Sequence, residues 1–234
     1  MIGGATKLRI AEIFVSVQGE GQWVGVPSVF VRVSGCNLRC VWCDTPYASW
    51  FPEGETVSID EVSQRVTEFD TRHVVLTGGE PMLFEGTQDL AERLVGSGHV
   101  VTIETAGTVF RDVPCHLMSI SPKLANSRPT GEWHDRHESV RLDRGPLVKL
   151  IESFNFQLKF VVNPELDGDD FAEIDLLLAG LPQIEPGNIL VMAEGTEAEV
   201  LHRRERLLVP ELVRRGWRLC PRLQIDLFGN TRGT

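Results

Sequence analysis

The chain has 234 residues, 42% of them hydrophobic, and a formal net charge of −10. That length and apolar content suffice for one buried core, and a single domain spanning residues 1–234 is expected. The acidic balance argues against a broad nucleic-acid surface, which needs clustered Lys and Arg, and favours a small-molecule substrate. No apolar run approaches the roughly eighteen residues of a membrane helix, and the N-terminus lacks a basic-then-apolar signal, so a cytoplasmic protein is expected, with no membrane partner.

Leu8 to Phe14 reads as a first strand or edge segment. Val17, Gln18, Gly19, Glu20 and Gly21 follow, then Gly25, a glycine-rich turn that either lets backbone approach a ligand or only punctuates the chain. It is not a phosphate loop, since no Gly-Lys-Ser/Thr follows. Val29 to Ser34 is a short buried strand whose alternation puts Val29, Val31 and Val33 on one face and Phe30, Arg32 and Ser34 on the other. Arg32 is out of place there unless its guanidinium is paired, either with an internal acid such as Glu12 or Glu20 or with a substrate carboxylate.

Cys36, Cys40 and Cys43 stand on one loop at the end of this strand. Three thiolates at these spacings can converge on one soft metal centre, yet they are one ligand short of a closed zinc site. In an iron–sulfur cluster the vacancy would fall on one iron, open to a cofactor or substrate. The alternative is a zinc knuckle that borrows a remote His or Cys. Cys115 and Cys220 stand alone and read as core or bystander thiols; five cysteines so placed are no disulfide framework. The Cys-x3-Cys-x2-Cys spacing, with Trp42 just before the last cysteine, resembles the cluster loop of the radical S-adenosylmethionine (SAM) enzymes.

Farther on, Ser58 and Glu61 form a capping box opening a helix with Ile59, Val62, Val66 and Phe69 on one face. His73 to Thr77 is a strand that ends in the turn Gly78-Gly79-Glu80-Pro81. Helix 87–95, strand 100–104, strand 117–121, strand 157–162, helix 171–178 and strand 189–192 continue the alternation. A last helix opens at a Thr196 and Glu199 capping box and is kinked or divided at Pro210. Strands alternating with helices specify a parallel sheet, open or curled into a barrel. Thr77, Glu104, Ser121 with Lys123, Asn163 and Glu194 fall at or just past strand ends, as the cysteines do, where parallel α/β folds place their sites. Residues 124–146 read as a polar surface excursion or lid; His134 and His137 have a ligand-like spacing, but a solvated loop is favoured over a second metal site. The tail from Asp226 frays, or folds back over the mouth to bury Leu227 and Phe228.

Taken together, Gln18-Gly19-Glu20-Gly21, Arg32, the cysteine loop with Asp44-Thr45, Gly78-Gly79-Glu80-Pro81, Glu104-Thr105, Ser121-Pro122-Lys123 and the Gly229-Asn230 to Gly233 tail resemble the 7-carboxy-7-deazaguanine synthase family. The resemblance implies an α/β fold, a partial TIM-like barrel of about six parallel strands with outer helices, in a homodimer. It also implies a [4Fe–4S] cluster on Cys36, Cys40 and Cys43, SAM as a regenerated cofactor, Mg²⁺, and an external electron donor such as a flavodoxin or ferredoxin. The implied substrate is 6-carboxy-5,6,7,8-tetrahydropterin, whose ring contracts with loss of ammonia in a step of queuosine and other 7-deazapurine biosynthesis. Carried onto this chain, SAM would be met by Trp42, Cys43, Asp44, Gly79, Ser121, Pro122 and Lys123. The pterin would be held by Val17, Gln18, Gly19, Arg32 and Thr77, and Mg²⁺ by Thr45. Residues 124–146 match no motif of the family. Two rivals stand beside this reading: a radical SAM activase acting on a partner protein, and a non-catalytic zinc module.

Overall fold

The apolar runs pair into one nine-stranded sheet in the computed structural model, which describes residues 6–166 and 168–234. In chain order the elements are β1 (Lys7–Val17), β2 (Pro27–Val33), β3 (Glu55–Ser58), α1 (Ile59–Thr67), β4 (His73–Gly78), α2 (Gly86–Gly96), β5 (Val100–Thr105) and β6 (Leu117–Ile120). They continue with α3 (His134–Arg141), α4 (Gly145–Ser153), β7 (Phe156–Val162), α5 (Asp170–Leu178), β8 (Ile189–Ala193), α6 (Ala198–Arg215), β9 (Arg218–Leu219) and α7 (Leu223–Phe228). The strand order is β3-β1-β2-β4-β5-β6-β7-β8-β9. From β2 onward every pairing is parallel, while β1 runs antiparallel to both β2 and β3. Six full parallel strands and the two-residue β9 therefore make an open, incomplete barrel, as expected from the alternation.

Period-two alternation decides what each face carries. Val29, Val31 and Val33 of β2, Val74 and Leu76 of β4, Leu158 and Phe160 of β7, and Ile189 and Val191 of β8 enter one core with Val62, Val66, Leu90, Leu94, Leu150, Ile174, Leu201 and Leu208 from the helices. Each such side chain contributes about 1.5–3 kcal/mol on burial, so the helix-covered face holds the sheet together. The opposite face carries Phe30, Arg32, Thr77, Glu104, Ser119 and Lys159, and these line a cavity.

Several expectations are corrected. The helix after β8, α6, starts at Ala198 with Glu197 as its uncapped N-cap residue, one residue later than Thr196 could cap. Pro210 does not divide α6, because Leu208 and Leu212 on either side of it are buried and their packing carries the helix through. Leu227 and Phe228 stay 55% and 44% exposed; Ile225 is the residue α7 buries. The tail nonetheless returns toward the mouth through Arg232, 4.0 Å from the Tyr47 ring centroid and paired with Glu53 at 3.0 Å and Glu12 at 3.3 Å. Finally, the 124–146 segment folds as α3 and the start of α4, with His134 exposed as expected but His137 only 1% exposed.

Candidate active site

The cavity opens at the C-terminal ends of the parallel strands. Val17, Gln18, Gly19, Arg32, Cys36, Cys40, Trp42, Cys43, Asp44, Thr45, Thr77, Gly79, Ser121 and Lys123 all line it, drawn from segments more than a hundred residues apart in sequence. Of the residues assigned to SAM, pterin or metal from sequence, Pro122 alone is absent from its wall; of the polar strand ends, Asn163 is absent as well, bonded instead to Asp170 and Glu194. Pro122 holds the turn between Ser121 and Lys123.

The cysteine loop leaves β2 and crosses the mouth. Burial pushes the Cys36 thiol up to about 12 and the Cys40 thiol up to about 11. Neighbouring cysteines add to both shifts, so the sulfurs lie within reach of one another's charge. Thiols in this state are protonated at neutral pH, and metal binding has to expel those protons. Among the described residues no three His, Cys, Asp or Glu side chains converge tightly enough to grip a single ion. A cluster distributes its thiolates over separate irons and so accepts a wider spacing; three sulfur donors on a buried wall fit that group. Ser49 lies 3.1 Å and Thr45 3.8 Å from Cys43 Sγ, hydroxyls that temper the charge of a bound thiolate.

The turn Gly78-Gly79 supports this loop from below. Gly78 has φ +140°, and a Cβ there would stand 2.1 Å from the Val33 carbonyl oxygen. At Gly79 it would stand 2.2 Å from Gly35 O, so only glycine lets β4 and the cysteine loop approach this closely. Glu80, fully buried, accepts from Met82 N at 3.0 Å, Ala106 N at 2.8 Å and Thr105 Oγ1 at 2.8 Å. It staples the turn to the end of β5 and does not face the cavity.

Beside the cysteine loop Lys123 donates to Ser121 Oγ at 2.7 Å and lies 5.5 Å from the Trp42 ring centroid. Trp42 Nε1 in turn donates to Asn126 Oδ1 at 3.1 Å. On the β2 side, Arg32 Nε donates to Glu12 Oε1 at 2.6 Å, and Tyr47 OH donates to the same oxygen at 2.7 Å. The internal acid is thus Glu12 and not Glu20. Among the described residues Nε is the only hydrogen-bonded atom of this guanidinium, and its terminal nitrogens are left for the cavity that Arg32 lines.

Arg32 is level with Thr77 in the β2–β4 register. Thr77 Oγ1 donates to Glu104 Oε2 at 2.9 Å, and Gln18 Nε2 donates to Glu104 Oε1 at 3.2 Å. Beside them sits a charge network that the sequence reading did not assign. Lys159 Nζ pairs with Glu20 Oε2 at 2.5 Å and with Glu104 Oε1 at 3.8 Å. Arg222 pairs with Glu20 at 3.4 Å and with Asp44, and donates to the Gly195 carbonyl. Burial alone would raise the Glu20 carboxyl, but Lys159 and Arg222 outweigh it and hold the group at about 2. The same pairing raises Lys159, so its ammonium stays charged. Lys159 carried the signal that singled out Arg32, a cation within an apolar strand. Arg222 carried none, being one arginine after the last strand.

The radical SAM superfamily model matches residues 30–135, the span from β2 through the cysteine loop to the start of α3. The chain is 44% identical over 234 residues to the 7-carboxy-7-deazaguanine synthase of Rhodopirellula baltica, covering 98% of this chain and 90% of that one. It is 41% identical over 246 residues to the enzyme of the same name from Halobacterium salinarum, covering 99% and 95%. The crystal structure of QueE from Escherichia coli superposes with a TM-score of 0.68 at 27% identity, over 92% of this chain and 93% of that one. The superfamily match implies a [4Fe–4S] cluster and SAM, which the three thiols and the open mouth accommodate. Identity of this degree over nearly the whole length, with the cysteine loop and Arg32 on one cavity, places the chain in the 7-carboxy-7-deazaguanine synthase family of radical SAM enzymes.

Proposed function

We propose that the chain converts 6-carboxy-5,6,7,8-tetrahydropterin to 7-carboxy-7-deazaguanine with loss of ammonia, within 7-deazapurine biosynthesis leading to compounds such as queuosine. The observation that carries this reading is the shared cavity, which the three cysteine sulfurs and the Arg32 guanidinium line together. Cys36, Cys40 and Cys43 would hold the cluster, leaving one iron for SAM. When bound, the cluster and SAM together supply the 5′-deoxyadenosyl radical that removes a hydrogen from the pterin C6.

The chain's own residues bind and orient. Trp42, Asp44 and the Gly79 backbone would face SAM with Ser121, Pro122 and Lys123, the ammonium of Lys123 meeting SAM's carboxylate. Arg32 would receive the pterin carboxylate on its terminal nitrogens, because Glu12 already occupies Nε. Thr77 and the Val17-Gln18-Gly19 backbone would hold the ring. Glu104, fixed by Gln18 and Thr77, offers acceptors to its N–H groups. Thr45 would offer its hydroxyl to Mg²⁺, a hard ion that a substrate carboxylate also suits.

The same reading includes a single radical SAM domain over residues 1–234, a homodimer, a cytoplasmic setting and a flavodoxin- or ferredoxin-type electron donor. Among the described residues no helix is long and apolar enough to cross a membrane. The test is an anaerobic reaction of reconstituted protein with SAM, reductant, Mg²⁺ and the carboxytetrahydropterin, read by mass spectrometry. Deazaguanine product in excess over SAM consumed is expected. 5′-Deoxyadenosine without that product would keep the radical chemistry and overturn the substrate, and zinc without iron or sulfide would overturn both.

A further inference from the structure

The segment from Lys123 to Arg141 touches the cysteine loop at several points. Val41 N donates to Ser127 O at 3.1 Å, Trp42 Nε1 to Asn126 Oδ1 at 3.1 Å, and the Arg39 guanidinium lies 4.4 Å from the Trp133 ring centroid. The central contact is His137. Arg39 N donates to its Nδ1 at 3.1 Å, so Nδ1 bears no proton. Nε2 therefore carries the hydrogen and donates to Ser127 Oγ at 3.0 Å, and that hydroxyl donates to Leu124 O at 2.6 Å. Every polar atom of the clasp is satisfied with the imidazole neutral. The far end of α3 is tied down as well. Arg141 pairs with Glu173 of α5 at 2.7 Å, and Glu173 accepts from Ala125 N at 2.7 Å. A segment fastened at both ends and buried at its centre is not built to open as a lid.

We infer that His137 is a positioning residue for the cluster: by accepting the Arg39 amide hydrogen it fixes the backbone between Cys36 and Cys40 before any metal arrives. The inference rests on the reading of the cysteine loop as a cluster site. A loop that must present three thiolates to separate irons is floppy by default, and an acceptor one residue from a ligand removes that freedom. Groups that orient a ligand in this way are worth about 10- to 100-fold in metal affinity. The arrangement also explains why a polar segment matching no family motif is threaded against the site.

The test compares wild type, His137→Leu and His137→Asn after anaerobic reconstitution. Leucine fills the volume without an acceptor; asparagine restores an acceptor where Nδ1 stood. The readouts are iron and sulfide per chain and the rate at which a chelator bleaches the cluster's visible absorbance, with the apo melting temperature as control. His137→Leu should lose its cluster about 10- to 100-fold faster than wild type, and His137→Asn should return most of the way. A leucine variant that keeps wild-type retention overturns the inference while the cluster reading stands. Wild type that takes up no iron and sulfide overturns both. Should the leucine variant not fold, hydrogen exchange on wild-type apo protein decides: protected Arg39 and Val41 amides support the clasp, and freely exchanging ones overturn it.

Discussion

In the proposed role Arg32 serves both Glu12 and a substrate carboxylate, and the geometry of a guanidinium allows it. A guanidinium donates through Nε on one side and through its terminal nitrogens on another, so holding Glu12 at 2.6 Å does not exhaust it. Glu12 keeps Tyr47 at 2.7 Å and Arg232 at 3.3 Å even without Arg32, so removing the arginine leaves no orphaned buried carboxylate. Arg32→Ala should therefore fold normally, bind SAM with unchanged affinity and lose about 100-fold or more in kcat/KM for the pterin, the range for truncating one member of a hydrogen-bonded charge pair. Calorimetry with SAM and steady-state rates on the same sample check this. Full turnover in the variant would mean that the carboxylate is received elsewhere.

At the scale of elements, what was legible in the sequence followed from periodicity and what was hidden followed from contacts between distant segments. The parallel strands were readable because their core faces are β-branched and apolar, and the strand ends were polar for a reason the cavity supplies. The Ser58 cap held, its hydroxyl accepting from Glu61 N at 3.3 Å. Glu61 itself turned to Arg65 at 2.5 Å and did not close the box. β3 escaped notice because Glu55–Ser58 has only Val57 to bury. The buried middle of α3 escaped because one histidine among charges gives no periodic signal, and only Arg39, nearly a hundred residues earlier, shows what it is for. Pro210 misled in the opposite direction, since tertiary burial overrode a local rule. That override should be measurable. Proline in a helix interior removes one backbone hydrogen bond and crowds the preceding turn, at about 3 kcal/mol, partly returned through a stiffer unfolded chain. Pro210→Ala, at an exposed position of α6, is expected to stabilise the chain by about 1–2 kcal/mol, or about 2–8 °C in Tm for a chain of this size. A Tm that falls would show the helix to be shaped around its proline.

An open sheet has two free edges, and the whole molecule manages its inner face by tying the chain's ends to its middle. Leu223 N donates to Gly19 O at 3.0 Å, Gly21 N to Cys220 Sγ at 3.1 Å, and Gln224 Nε2 to Glu20 Oε1 at 2.9 Å. Glu20 is the shared point, joining the turn after β1 to Lys159 of β7 and to Arg222 before α7. Its carboxyl ordinarily titrates near 4.5 and is held at about 2 in the fold by Lys159 and Arg222 against the opposing effect of burial. Between those values the unfolded chain binds a proton there that the folded chain refuses, so stability rises with pH across that window. The contribution is complete above about pH 4.5 and is lost as the pH falls toward 2. Lys159 stays protonated throughout, so it adds no slope of its own in that range. Urea unfolding of the apo chain at pH 5.5 and at pH 3.5 should give a larger loss of midpoint for wild type than for Glu20→Gln, which has no proton to take up. The comparison subtracts the other depressed carboxylates, among them Glu165 and Glu211 with their arginine partners, because both proteins share them. Equal losses in the two proteins would place acid sensitivity on those surface pairs and leave the Glu20 junction without a part in closing the fold.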